Sequence, residues 1–139
     1  MSDKKTVTSL PVQSEDNLQY RVWQRLWNEY PQLRRRVWHV ANQRKDKQEA
    51  SRVQSMGVLS GVWDLHMYLK GQYIIWEAKS EHGTLTRDRV VNGRKVFGQQ
   101  EWGEIMRAEG AWTYIFRSET EFFTQLNEVL KKLNFVISK

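Results

Sequence analysis

The chain of 139 residues is predicted to adopt an α/β fold, a mixed central sheet flanked by helices, with an inserted β-hairpin arm. Three observations lead to that class. Hydrophobic residues recur at helical spacing near both ends of the chain, whereas the middle carries runs rich in aromatic and β-branched residues. Two of those runs flank Lys70-Gly71, a tight-turn dipeptide, and so read as an antiparallel hairpin. A hydrophobic content of 40% over this length supplies one domain with a real core and leaves no room for a second.

Residues 1–13 are polar, lack periodicity and contain Pro11, so they read as a flexible tail ahead of a single domain at 14–139. Ser14 is positioned to cap a helix whose stripe is Leu18, Val22, Leu26 and Tyr30, broadened by Trp23 and Trp27 as core residues and ended by Pro31. A strand is expected at 36–40, then a short helix at 45–56 closed by Gly57, then the hairpin at 62–79. Asn92-Gly93 suits a type I′ turn, since both residues tolerate positive φ, and places the β-arm between Val90 and Val96. A helix at 99–109 stops at Gly110, and 111–116 reads as a buried strand. Ser118 and Glu121 form a capping box for a last helix carrying Phe122, Leu126, Val129, Leu130 and Leu133. The predicted order is αβαββ(ββ)αβα.

With a two-residue Lys70-Gly71 turn, Leu69 faces Gln72, and counting back along both strands sets Asp64 opposite Glu77. Glu77 and Lys79 then share the face of Asp64. The other face carries Trp63, Leu65, Met67, Leu69, Ile74, Trp76 and Ala78, almost wholly apolar. A three-residue turn would pair Asp64 with Ala78 and scatter acids onto the core face, so the hydrophobic pattern supports the register that gathers the carboxylates. Two converging carboxylates repel unless a cation lies between them, and hard oxygen ligands favour Mg²⁺ or Mn²⁺. A nearby lysine adds a positive charge for a phosphate or an attacking water, so the set suits metal-assisted phosphodiester cleavage. The competing reading is a salt-bridged, solvated sheet face. His66 falls on the same face, where a lone histidine is more often structural.

The formal net charge of +6 favours an anionic partner, and its distribution is uneven. Arg34, Arg35, Arg36, Arg44, Lys45, Lys47 and Arg52 precede the acidic pair, and Arg87, Arg89, Arg94 and Lys95 follow it, as expected of a groove that tracks phosphates. The absence of cysteine excludes disulfides, thiolate metal sites and cysteine catalysis, and the three histidines lack zinc-ligand spacing. No apolar run approaches the ~20 residues of a membrane span, and the first residues lack an apolar signal core, so a cytoplasmic protein is expected.

From Ser14 to about Leu133 the order of features resembles the VRR-NUC family of PD-(D/E)XK nucleases. The matching pieces are Glu15 opening the first helix, His39-Val40-Ala41-Asn42, the run from Ser55 to Asp64, Glu77-Ala78-Lys79, Gly83-Thr84-Leu85-Thr86, and Gln99-Gln100-Glu101-Trp102. The resemblance implies a restriction-endonuclease-like PD-(D/E)XK core. It implies that Asp64, Glu77 and the Ala78 carbonyl bind Mg²⁺ or Mn²⁺, that Lys79 acts on water or phosphate, and that Gln99 supports them. Glu15 would add a carboxylate, and His39 and Asn42 would line the site or order the loop over it. The chain departs from the pattern at Trp63, where the family usually has proline, and at 87–96, an insertion ahead of the glutamine helix. Gln99 is preferred to Gln100 because it keeps the family's distance to Trp102. Stand-alone members acting on four-way junctions, together with the small surface for base readout, point to a homodimeric endonuclease for branched DNA. The alternatives are a sequence-specific or nicking endonuclease of the same fold, a non-catalytic nucleic-acid-binding module, and an interaction protein for an acidic partner.

Overall fold

The computed structural model describes residues 14–41, 52 and 56–137. The predicted tail and most of the predicted 45–56 helix lie outside these residues. Helix α1, Glu15–Glu29, starts where the Ser14 side chain accepts a hydrogen bond from the Asn17 N–H at 3.2 Å, with Glu15 and Asp16 in its first turn complementing the helix dipole. The helix ends at Glu29 with Tyr30 as its C-cap, immediately ahead of Pro31 as expected. Pro31 opens a 3₁₀ turn, Pro31–Leu33, that swings the chain into strand β1, Val37–His39. Leu18, Val22 and Leu26 are buried as the periodicity requires, but Trp27 is 48% exposed. It lies outside the stripe, and the Arg34 guanidinium stacks over its ring at 4.3 Å.

Strands β2, Leu65–Leu69, and β3, Gln72–Ala78, form the central hairpin. Leu69 pairs with Gln72 and Leu65 with Trp76, so the next step of the ladder sets Asp64 opposite Glu77 as the sequence predicts. Lys70 and Gly71 have φ of 52° and 82°, the double positive φ of a type I′ turn, which fixes that register. The sheet is completed by β1 on β2, antiparallel, and by β6, Trp112–Phe116, parallel to β3, giving the order β1-β2-β3-β6. Because β6 is an edge strand, Trp112 to Ile115 are half-buried and only Phe116 is fully covered, unlike the buried strand expected. A separate two-stranded hairpin, β4 Arg89–Val91 and β5 Arg94–Val96, turns at Asn92 and Gly93 with φ of 51° and 76°.

One sheet face, with Met67, Leu69, Ile74, Trp76 and Ala78, packs against α1 and the last helix, α3, Glu119–Lys132, which buries Phe122, Leu126 and Leu130. Each such side chain contributes about 1.5–3 kcal/mol by leaving water. Ser118 caps α3 through the Glu121 N–H at 3.1 Å, but the Glu121 carboxylate reaches the Arg117 N–H at 2.7 Å, one residue earlier than a standard capping box requires. The other sheet face is covered by helix α2, Gln99–Ala108, over Ile75 and Ala111. Trp63 joins this second cluster rather than the face that strict alternation predicts. It precedes β2, so its direction is not set by the pleat, and its indole N–H donates to the Gln99 carbonyl at 2.8 Å. Among the described residues no helix is long and apolar enough to cross a membrane.

Candidate active site

The end of the β2–β3 hairpin nearest α2 gathers Asp64, Glu77, Lys79 and Gln99. Glu77 and Lys79 are almost wholly buried, at 1% and 5% exposure, which is rare for charged side chains without partners. The partners are local. The Asp64 N–H donates to Glu77 Oε1 at 3.2 Å, and the Ala78 N–H donates to Asp64 Oδ2 at 3.4 Å, so each carboxylate is held by the other strand's backbone. Gln99 joins the remaining groups: its Nε2 donates to Glu77 Oε2 at 2.7 Å and its Oε1 accepts from Lys79 Nζ at 2.8 Å. Lysine only donates, so the amide oxygen must face Lys79 and the amide nitrogen turns to Glu77. The Lys79 ammonium also stands 3.7 Å from Glu77 Oε2.

Gln99 is aimed by Thr86. The Thr86 hydroxyl accepts from the Gln99 N–H at 3.0 Å, its carbonyl accepts from the Gln100 N–H at 2.9 Å, and its own N–H donates to Gln99 Oε1 at 3.2 Å. Two orphan amides of α2 are thereby satisfied from outside the helix. The intervening β4–β5 hairpin does not separate the partners, because it closes on itself and the Asp88 carboxylate accepts from the Gly98 N–H at 2.7 Å. Gln100 turns away to Glu104 at 2.8 Å, so the structure places Gln99, not Gln100, in the cluster.

A cavity of about 270 Å³ opens over this net, lined by Asp64, Glu77 and Gln99 on one side, by Glu15, Asp16 and Gln19 of α1 on another, and by Arg89 and Phe97. Burial, and then the neighbouring Asp64 charge, push the Glu77 carboxyl up to about 9, while Lys79 opposes the rise. Asp64 is also raised, first by burial, against the pull of the Ala78 N–H. Two carboxylates raised by desolvation, one of them also by its neighbour's charge, are stabilised by a cation between them. Among the described residues no three His, Cys, Asp or Glu side chains close on one point. An ion here would therefore take its two carboxylates from Asp64 and Glu77 and complete its shell with backbone oxygen and water, a donor set that fits Mg²⁺ or Mn²⁺.

The other predicted residues fall in several places. His39 ends β1 beside the site, since the following Val40 N–H donates to the Asp64 carbonyl at 2.8 Å, and it lines a neighbouring cavity. Asn42, Arg44, Lys45 and Lys47 lie outside the described residues. Arg34 and Arg36 do not flank the carboxylates. Arg36 bonds through its carbonyl to the Tyr68 N–H, four residues along β2 from Asp64, or ~13 Å at ~3.3 Å per residue. Their guanidinium groups donate to the Trp27 and Gln32 carbonyls at 2.7 and 2.9 Å, fastening the turn after α1. Arg87 pairs with Glu101 at 3.0 Å, whereas Arg94 and Lys95 are exposed on β5. His66 is a satisfied core residue, with one ring nitrogen on the Tyr73 hydroxyl and the other on the Trp63 carbonyl, and burial lowers its pKa.

Sequence reasoning missed Arg117, whose guanidinium donates to the carbonyls of Ser80 and Gly83, both at 2.7 Å, and so ties down the loop that follows Lys79. It also missed the contribution of α1 through Asp16 and Gln19. Neither carries a motif, because each acts through a contact between distant parts of the chain. No family model, curated protein or solved structure matches the chain.

Proposed function

We propose that this protein is a metal-dependent endodeoxyribonuclease with a PD-(D/E)XK-type core, similar to the VRR-NUC nucleases, that cuts branched DNA. The observation that carries the reading is the net of buried Glu77 and Lys79 with half-buried Asp64 and Gln99, against an open cavity that Asp64, Glu77 and Gln99 line. A solvated salt-bridged sheet face would leave these side chains exposed, whereas Glu77 and Lys79 are sequestered. Burying such groups costs folding free energy, which a purely structural sheet would avoid with apolar residues of similar volume.

In this reading Asp64 and Glu77 hold Mg²⁺ or Mn²⁺ with the Ala78 carbonyl, and Glu15 faces them across the cavity. Such an ion would supply Lewis-acid chemistry, polarising a phosphate and making a water more acidic. Gln99 accepts a hydrogen bond from Lys79 and so orients the ammonium, whose positive charge would stabilise the charge that develops as the P–O bond breaks. The amide donor of Gln99 holds Glu77 in place, so one residue positions both the ligand and the cation. Arg89, Arg94 and Lys95 supply phosphate contacts, and a homodimer would bring two such sites to a junction.

A panel of four-way junction, fork, nicked duplex, linear duplex and single strand, incubated with Mg²⁺ or Mn²⁺, tests the proposal. Preferential cleavage of the branched forms is expected. Asp64→Asn and Glu77→Gln should each abolish cutting while DNA binding in EDTA stays within about twofold, since the basic groups are untouched. Full activity in either variant would overturn the mechanism, and equal cutting of all substrates would remove the branched preference alone.

A further inference from the structure

We propose that a second cavity, between α1 and the sheet, is a subsite for one unstacked nucleobase of the DNA, next to the cavity that holds Asp64 and Glu77. This inference rests on the nuclease reading and narrows its substrate class. The second cavity measures about 340 Å³, at the small end of the ~300–1,000 Å³ typical of ligand pockets, and so suits a single heterocycle with its sugar better than a helix or strand.

The lining divides by chemistry. Val22, Leu65 and Phe116 make an apolar floor that offers a phosphate nothing to bind. Tyr20 and Trp23 of α1 supply aromatic surface, which stacks on any base because every base has a π-face. Asp16 and Gln19 add hydrogen-bonding groups, and these two residues also line the cavity of Asp64 and Glu77. His39 offers a further donor or acceptor.

The shared residues decide the geometry. A strand passing over Asp16 and Gln19 sets a phosphate on the side of the carboxylates and the adjoining base on the side of the aromatic residues. A base held in a duplex is stacked and paired and cannot enter, so the substrate must carry an unpaired nucleotide beside the scissile phosphate, as at a junction, a flap or a frayed end.

Photo-crosslinking in EDTA tests the subsite without any need for cleavage. The probe is a short thymidine oligonucleotide carrying one 5-iododeoxyuridine, irradiated with the full chain and mapped by mass spectrometry. Crosslinks at Tyr20 or Trp23 are expected, about tenfold stronger for the single strand than for the same strand in a duplex, the scale of one base–aromatic stack. Tyr20 is 66% exposed, so Tyr20→Ala keeps the core, and it should weaken the crosslink at Trp23 with an unchanged circular dichroism spectrum. Crosslinks confined to other residues, or equal for duplex and single strand, would overturn the subsite. Cleavage with Mg²⁺ but no crosslink there would sink the subsite alone. Crosslinking there without any metal-dependent cleavage would sink the nuclease reading and leave a base-binding pocket.

Discussion

Glu77 carries opposing demands of folding and chemistry on one side chain. Its carboxyl is pushed up to about 9, by burial first and then by the charge of Asp64, from a usual value of 4.5. Between those values the folded chain binds a proton that the unfolded chain has released, so stability must fall as pH rises through the window. The raised Asp64 carboxyl adds to the same slope. In EDTA, urea midpoints measured at pH 5, 7 and 8.5 (values chosen to span roughly that interval) should decline for the native chain. Glu77→Gln, an uncharged isostere, should flatten the decline and be the more stable protein at the highest pH, although it cannot cut DNA. A native midpoint that climbs with pH would show that Glu77 is ionised and stabilising in the fold. Added Mg²⁺ should restore stability at high pH in the native chain only, because a cation replaces the lost proton between the carboxylates.

At the scale of elements, placement of α2 decides whether Gln99 reaches Glu77. Gly103 lies on the helix face turned to Trp63, and a Cβ there would stand 2.4 Å from the indole ring, closer than any carbon contact allows. Gly103→Ala should therefore lift α2 off the sheet, costing about 1–3 kcal/mol by overpacking. The displacement should also lower cleavage of branched DNA by roughly tenfold or more, as a misplacement of about 1 Å does in positioned sites. Denaturant melts and single-turnover rates on one preparation check both, and an unaltered rate in a destabilised protein would separate α2 from the chemistry. This contact also marks where reading the sequence stops. The register of β2 and β3 was legible because Lys70-Gly71 and the apolar alternation agree, and Asp64 opposite Glu77 follows from it. The direction of Trp63 was not legible, since it stands before the pleated strand and answers to Gly103 and the Gln99 carbonyl, which are about forty residues away. The Thr86 cap on Gln99 was hidden likewise, because it bridges a segment that only the folded hairpin closes.

For the molecule as a whole, position in space decides what the +6 charge can do, and the linear clusters mislead there. Arg34 and Arg36 lie in one run of arginines with the look of a phosphate track, yet both guanidinium groups fasten backbone carbonyls at the end of the sheet away from Asp64. Arg94 and Lys95 stand exposed on the hairpin whose first residue, Arg89, lines the site cavity. The two groups should respond differently to neutralisation. Each phosphate contact contributes about −0.9 to the slope of log affinity against log salt, so Arg94→Gln with Lys95→Gln should make the slope shallower by about two. Arg34→Gln should leave the slope within experimental error and instead lower thermal stability, because the ring of Trp27 loses a stacked cation worth about 0.5–1 kcal/mol at an exposed site. Salt titrations by fluorescence anisotropy, paired with melting curves on the same variants, separate the two effects. A slope that flattens for Arg34→Gln but not for the hairpin variant would place the DNA across the opposite end of the sheet, away from Asp64 and Glu77, and would break the link between binding and the proposed chemistry.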